Sequence, residues 1–261
     1  GNVGSGTNNA YSSGMYFRIN GNNINSNGQG WLNKDGSELE MGPYSTQGLH
    51  AYRRIKIYKD HGLARWLEIL VNPGDAPISI NAQMYTSTCW QIGQVTGSDG
   101  DGAVGGDDWA AITQVTGGPA PALLHVFGDG KADVRPSVDI QHNRITLTYA
   151  LTVPAGSTVV LCHFESQDNS VADLKKRMAA FKARKFLDDL PPAVRKLIVN
   201  FDISGGPLNI ELDRSESADQ VLLNHGDPIR GTIRNARFTI TGLFGELEIP
   251  ATKVVGMVTA P

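Results

Sequence analysis

Between Met15 and Phe164 the chain is cut by turn residues into apolar runs of about four to eight residues, and runs this short build strands rather than long helices. "MYFRING" alternates and ends on Asn20–Gly21, a pair suited to a tight turn. "AYRRIKIYKD" sets Tyr52, Ile55 and Ile57 among basic residues. "ARWLEILVNPGDAPISINAQMY" reads as strand, Asn-Pro-Gly-Asp turn, strand, and "RITLTYALTVPAGSTVVLCHFE" reads as a hairpin about the turn Pro154 to Ser157. With 30 glycines and 13 prolines in 261 residues, the expected fold class is mostly β, led by a large β-sandwich over residues 1–168.

The period changes at Ser170. Val171, Leu174, Met178 and Phe181 fall at helical spacing, and Ser170 with Asp173 resembles a capping box. A second short helix is expected at the Pro191–Pro192 pair, because proline is tolerated in a first turn. Residues 169–201 therefore read as a helical linker, and 202–261 as a small β-meander or barrel. There Ile229, Ile233, Phe238, Ile240, Leu247 and Ile249 share one face, opposite Arg230, Thr232, Arg234, Arg237, Thr239, Thr241, Glu246 and Glu248.

A formal charge of −3 gives no overall basic field, so nucleic acid is not expected as a partner. No run approaches the length of about 18 apolar residues that a membrane-spanning helix needs, so no transmembrane segment is expected. The chain begins at Gly1 rather than Met. This is read as the mature end of an exported protein, secreted or held at the cell surface, with an expression-tag scar as the alternative. Cys89 and Cys162 both lie in apolar strand-like runs. They form either one disulfide or two buried free thiols.

No catalytic signature stands out, and no cofactor is expected. "GSDGDGAVGGDDW" is an acidic, glycine-rich loop in which Asp99 and Asp101 have the spacing that opens a calcium loop. Ala103 fills the next ligand position and no Glu closes the loop, so calcium competes with a plain polar turn. Asp107 with Asp108, or Glu165 with a distant partner, are candidates for the paired carboxylates of a glycosidase. The six histidines are scattered, and only His163 and Glu165 would share a strand face as a metal-ligand pair. Residues 171–201 carry eight basic side chains against three acidic ones, read as a solvated face, an anion-binding surface or a contact for a neighbouring subunit.

Trp31, Trp66, Trp90 and Trp109, with Tyr16, Tyr44, Tyr52, Tyr58 and Tyr85, fall in the sandwich region. Most belong in the core, and any exposed set would make a platform for sugar rings. The first 33 residues hold nine asparagines and a single charge, Arg18. Such a segment needs pairing to be ordered, and it is expected to add a strand to a neighbouring copy, with Tyr11, Met15 and Phe17 as assembly contacts.

The segments "YRRIKIYKDHGLARWLEILVNPGDAPISINAQMYT", "PALLHVFGDG", "VVLCHFESQ" and "LLNHGDPIRGTIRNARFTITGLFGELEIPATKVVGM" together resemble a type of secreted bacterial protein found in planctomycete-like genomes. The resemblance covers most of residues 15 to 258 and implies a supersandwich-like domain with a small barrel-like tail. No catalytic residues carry over from it, and the Asn-rich start departs from its more acidic leads. The function expected is that of a non-enzymatic extracellular or cell-surface structural protein, a homo-oligomer or polymer such as a filament. The alternatives are a carbohydrate-binding module that partners glycans, and a glycoside hydrolase or lyase.

Overall fold

The structure is a computed structural model. It describes residues 10–24, 30–33, 35–117, 120–132 and 134–203, and beyond these the backbone strands at 219–222, 228–231, 237–242 and 245–250. The chain divides into one unit of residues 1–205 and another of residues 206–261.

The first unit is a β-sandwich of two antiparallel sheets. Its strands are β1 (Tyr11–Ile19), β2 (Asn22–Asn23), β3 (Gly30–Leu32), β4 (Glu38–Thr46), β5 (Leu49–Tyr58), β6 (Leu63–Val71) and β7 (Ile78–Thr88). They continue as β8 (Ile92–Gly97), β9 (Ala110–Val115), β10 (Ala122–Val126), β11 (Ser137–Gln141), β12 (Arg144–Val153) and β13 (Thr158–Asp168). One sheet has five strands in the order β11-β12-β7-β1-β2, and the other has eight in the order β3-β4-β5-β6-β13-β10-β9-β8.

Alternation dictates which residues meet between the sheets. In β12, Ile145, Leu147, Tyr149 and Val153 are buried while Arg144, Ala150 and Thr152 are exposed. The buried set joins Met15, Phe17 and Ile19 of β1, Ile80, Ala82 and Met84 of β7, and Trp66, Leu70 and Leu161 of the larger sheet in one core. At the end of β1, Asn20 and Gly21 adopt φ of 49° and 80°, the left-handed pair of a type I′ turn that the sequence signals.

Strand β13 is buried on both faces over most of its length. The cause is a third layer: α1 (Val171–Ala179), α2 (Ala183–Leu187) and α3 (Pro192–Arg195) pack on the back of the larger sheet. Ser170 caps α1, its hydroxyl accepting from the Asp173 amide at 3.1 Å. Pro191 and Pro192 open α3. Leu174, Met178, Phe186 and Leu187 bury against Cys162, Phe164 and Leu124, so residues 169–201 cover apolar sheet surface and are not a bare linker.

The hairpin expected about Pro154 to Ser157 is an arch instead, and so is the strand-turn-strand over Asn72 to Pro77. β6 lies in the larger sheet and β7 in the smaller, and the same holds in reverse for β12 and β13. The Asn72–Pro77 and Pro154–Ser157 turns therefore carry the chain between layers. They are tied together: the Asn72 amide donates to the Ser157 carbonyl at 2.9 Å and the Gly156 amide to the Gly74 carbonyl at 2.9 Å. The fully buried Asn72 side chain donates to Ala76 and Val153 carbonyls and accepts from the Gly74 amide. Both turns carry the signals of a reversal, but a reversal does not specify which sheet receives the next strand.

The assembly contacts expected from the N-terminus are also corrected. Tyr11, Met15 and Phe17 are 7%, 3% and 4% exposed, inside this chain's own core, because β1 pairs with β7. Residues 1–9 lie outside the described residues.

In the second unit, β14 (Asp219–Leu222) pairs with β15 (Pro228–Gly231), and β16 (Arg237–Gly242) with β17 (Gly245–Pro250), all antiparallel. The register sets Phe238 opposite Ile249, Ile240 opposite Leu247 and Thr239 opposite Glu248. Thr232, Ile233 and Arg234, which the sequence reading also places on these strands, lie outside the described residues.

Candidate functional site

One cluster of polar and charged side chains between the sheets has the connectivity of a catalytic triad. Thr113 Oγ1 lies 3.0 Å from His125 Nε2, and His125 Nδ1 lies 2.7 Å from Glu165 Oε1. Hydroxyl, imidazole and carboxylate in this order activate a nucleophile in hydrolases. Here the three residues are 1%, 3% and 4% exposed, so no substrate carbonyl reaches Thr113. The contacts continue inward: Thr86 Oγ1 donates to Glu165 Oε1 at 3.0 Å and accepts from the Met15 amide at 3.1 Å. Met15 has φ of 55° at an irregularity in the β1–β7 register, and its carbonyl accepts from Arg53, which is paired with the buried Glu68. The network satisfies the backbone groups of this bulge and holds the sheets together.

His163 and Glu165 do share the inner strand face, but they point to different partners. Burial, and then the Arg53 charge, lower the His163 pKa to about 3 and keep the imidazole neutral in the core. Its Nε2 lies 3.0 Å from the Tyr149 hydroxyl, which donates to the Phe127 carbonyl at 2.6 Å. Cys162 and Cys89 are free, and the disulfide is not formed: Cys162 sits in the larger sheet, facing the helices, while Cys89 follows β7 of the smaller one. Burial pushes the Cys162 thiol pKa upward.

In the acidic loop the organiser is Asp108. Its carboxylate accepts from the Ser98 amide and hydroxyl at 2.5 Å and 2.7 Å and from the Gly105 amide at 2.8 Å. Burial raises its pKa, but these hydrogen bonds win and hold it below the ordinary value. Asp99 and Asp101 cap local turns, accepting from the Asp101 and Ala103 amides. Among the described residues no three His, Cys, Asp or Glu side chains gather as a metal-binding group. Of the Asp107 and Asp108 candidates, Asp107 is solvent-exposed beside Arg135 while Asp108 is buried in the Ser98 and Gly105 hydrogen bonds, and Glu165 is 4% exposed.

The surface with the organisation of a site is the face of the five-stranded sheet turned away from the larger sheet, which no described element covers. Strand pairing lays the residues of this face in rows across β1, β7, β12 and β11, in which Tyr85 and Ser87 are 8% and 5% exposed. Tyr16, Tyr85, Thr146 and Asp139 make one row, and Arg18, Gln83 and Thr148 the next. Ser87, Arg144 and Gln141 flank the first row on the other side. Tyr16 and Tyr85 stack with ring centres 5.0 Å apart and 13° between planes. Arg18 and Arg144 place guanidinium carbons 4.5 Å and 4.8 Å from the centre of the Tyr85 ring.

Side-chain bonds lock these rows. Arg18 donates to Asn23 and to the Tyr85 hydroxyl, Arg144 to Ser87, and Gln83 to Thr148. Further along β7, Ser79 and Asn81 are exposed and open into a groove of about 610 Å³ with Asn20, Thr152 and an apolar floor including Leu151 and Val159. From Ser79 to Ser87 the strip runs about 27 Å at the rise of a β-strand. Of the tryptophans, Trp66 is buried and Trp109 stacks on Phe181, while Trp31 and Trp90 are exposed with no ring partner among the described residues. The helical segment's basic residues are partly neutralised within the unit, Arg177 by Asp168 and Arg195 by Asp188. No helix among the described residues is long and apolar enough to cross a membrane.

No protein-family model matches the chain, and no curated protein matches it. Among solved structures it is similar to a polysaccharide lyase, with 15% identity and a TM-score of 0.41 over 63% of this chain and 27% of that one. It is similar also to a protein described as a kojibiose phosphorylase from human microbiome, with 12% identity and a TM-score of 0.41 over 67% of this chain and 27% of that one. The chain thus spans about a quarter of the length of either. Likeness this distant carries no functional argument.

Proposed function

We propose that the chain is a non-enzymatic carbohydrate-binding module of an extracellular protein, with its ligand lying along the open face of the five-stranded sheet. The observation that carries this reading is the Tyr16–Tyr85 stack at the centre of an otherwise polar face. Sugars present both hydroxyls and apolar C–H faces, and they are held by fixed hydrogen-bonding side chains around an aromatic ring. The rows of Gln83, Thr146, Thr148, Asn81 and Ser79 supply the first, and the half-buried Tyr16 the second. Because these groups are locked before a ligand arrives, little ordering is needed on binding. The triad-like relay supports the non-enzymatic part, since its hydroxyl is closed to substrates. Affinity electrophoresis of the whole chain through gels carrying plant, algal and bacterial polysaccharides tests the proposal. Retardation by at least one is expected, with a loss of about tenfold in Tyr16→Ala. Unretarded migration through every gel overturns it.

A second reading, self-association, is favoured by β3, the last described strand on its side of the larger sheet. There Trp31 and Leu32 are 54% and 66% exposed. Light scattering over a hundredfold range of concentration should show the mass rising, and Leu32→Glu should suppress the rise. A constant mass of 28.0 kDa removes this reading.

A further inference from the structure

We propose that the ligand of this face is an acidic polysaccharide, with Arg18 and Arg144 each taking a uronate carboxylate. This rests on the glycan-binding reading above and specifies its substrate class. Of the nine arginines with described side chains, seven lie within 4.0 Å of a carboxylate. The two that do not are Arg18 and Arg144, and both lie against the ring of Tyr85.

Two cations beside one ring, within about one Debye length of each other and with no carboxylate on either among the described residues, repel. The sheet holds them there nonetheless. Arg18 Nε donates to Asn23 Oδ1 at 2.6 Å and Arg144 Nε to Ser87 Oγ at 3.2 Å, which fixes each guanidinium plane. Arg18 Nη1 and both terminal nitrogens of Arg144 make no hydrogen bond among the described residues. Arg144 is thus a planar fork fixed at its base with its tip open, the geometry that receives a carboxylate through two parallel hydrogen bonds, and Arg18 keeps Nη1 open while its Nη2 holds the Tyr85 hydroxyl. On the same face Asp139 is the only acid in these rows, at the outer strand opposite Thr146, and it pairs with neither arginine. The strip therefore offers cationic forks at the aromatic centre and neutral amide and hydroxyl groups along its length. That pattern matches a chain of sugars in which some rings carry a carboxylate.

The experiment uses the whole chain and pairs of polymers that differ in charge alone: polygalacturonate, alginate and hyaluronan, each beside its methyl ester, with a sulfated galactan as a further arm. Titration calorimetry should show at least one free-acid polymer binding about tenfold or more tighter than its ester. That preference should fall about tenfold in Arg18→Gln and again in Arg144→Gln, and it should weaken with added salt. Thermal melts of both variants should match the parent, since each side chain lies at the surface. Equal binding of acid and ester, unmoved by either substitution, overturns the acidic specificity and leaves the glycan reading standing. Binding to the sulfated polymer alone overturns the carboxylate assignment, and a preference that survives the double substitution overturns the assignment to this face. No binding to any polymer, ester forms included, overturns both readings.

Discussion

Arg65→Met is expected to destabilise the sandwich by about 3–5 kcal/mol, read as the shift in a urea unfolding midpoint. Arg65 is 1% exposed on the helix-facing side of β6. Its Nη1 donates to the Phe186 carbonyl at 2.6 Å and to Asp189 at 2.5 Å, and its Nη2 to Glu38 at 3.1 Å. Arg54 holds the other oxygen of Glu38 at 2.6 Å, and Lys56 and Tyr58 reach Asp189 at 2.6 Å and 3.0 Å. Burial raises the Asp189 pKa, but Lys56 and Arg65 win and leave it lowered. Methionine fills most of the volume but removes the buried donor to the Phe186 carbonyl, to Asp189 and to one oxygen of Glu38, so the two carboxylates keep only Lys56, Tyr58 and Arg54, and charged acceptors that lose a buried donor cost more than the bonds contributed. Lys56→Met is the control: Lys56 is partly exposed, its loss leaves Arg65 in place, and it should cost under about 1 kcal/mol. Equal, small effects of the two substitutions would show that the clasp is not what fixes the helical layer.

Acid should weaken the fold well before the carboxylates titrate, through His163. The Tyr149 hydroxyl donates its single proton to Phe127, so its oxygen accepts from His163 Nε2–H, and His163 Nδ1 is left bare and without a partner. A second proton would stand on Nδ1 in the core with nothing to accept it. The folded pKa is therefore lowered to about 3, below the unfolded value of about 6.5. Since the unfolded chain binds more protons between these values, stability is full above pH about 6.5 and falls with pH down to about 3. The slope is about 1.4 kcal/mol per pH unit. Between pH 6 and 5 this histidine acts ahead of the lowered carboxyls of Asp108 and Asp189, which add to the same loss only at lower pH. His163→Gln keeps a donor toward Tyr149 and cannot gain the proton. Its unfolding free energy should be nearly flat from pH 7 to 5, and a slope identical to the parent's would place the linkage elsewhere.

Much of the scaffold was legible in local chemistry. The alternation of β12, the Asn20–Gly21 turn, the Ser170 cap and the Pro191–Pro192 start each depend on neighbours within a few residues, and each stands where the pattern put it. What depends on pairing was not legible. Tyr16 and Tyr85 meet because β1 lies beside β7, and Thr113, His125 and Glu165 meet across β9, β10 and β13. A search for pairs within one segment finds neither. The Asn-rich composition of the first 33 residues hides an ordinary inward-facing strand, so Tyr11, Met15 and Phe17 look available to a neighbour when they are buried against β7. The polar outward positions of β7 and β12 could be read as a surface. That two arginines there lack carboxylates could not, because partner choice is settled only by the folded register.

Strand order also governs when this domain can close during synthesis. β13, the last strand of the sandwich to leave the ribosome, sits in the middle of the larger sheet between β6 and β10. Until residue 168 has emerged, two half-sheets face each other with open margins, and their backs stay bare until the helices follow. A nascent chain halted short of that strand is thus expected to leave apolar sheet uncovered, and dividing the gene before it should yield insoluble fragments.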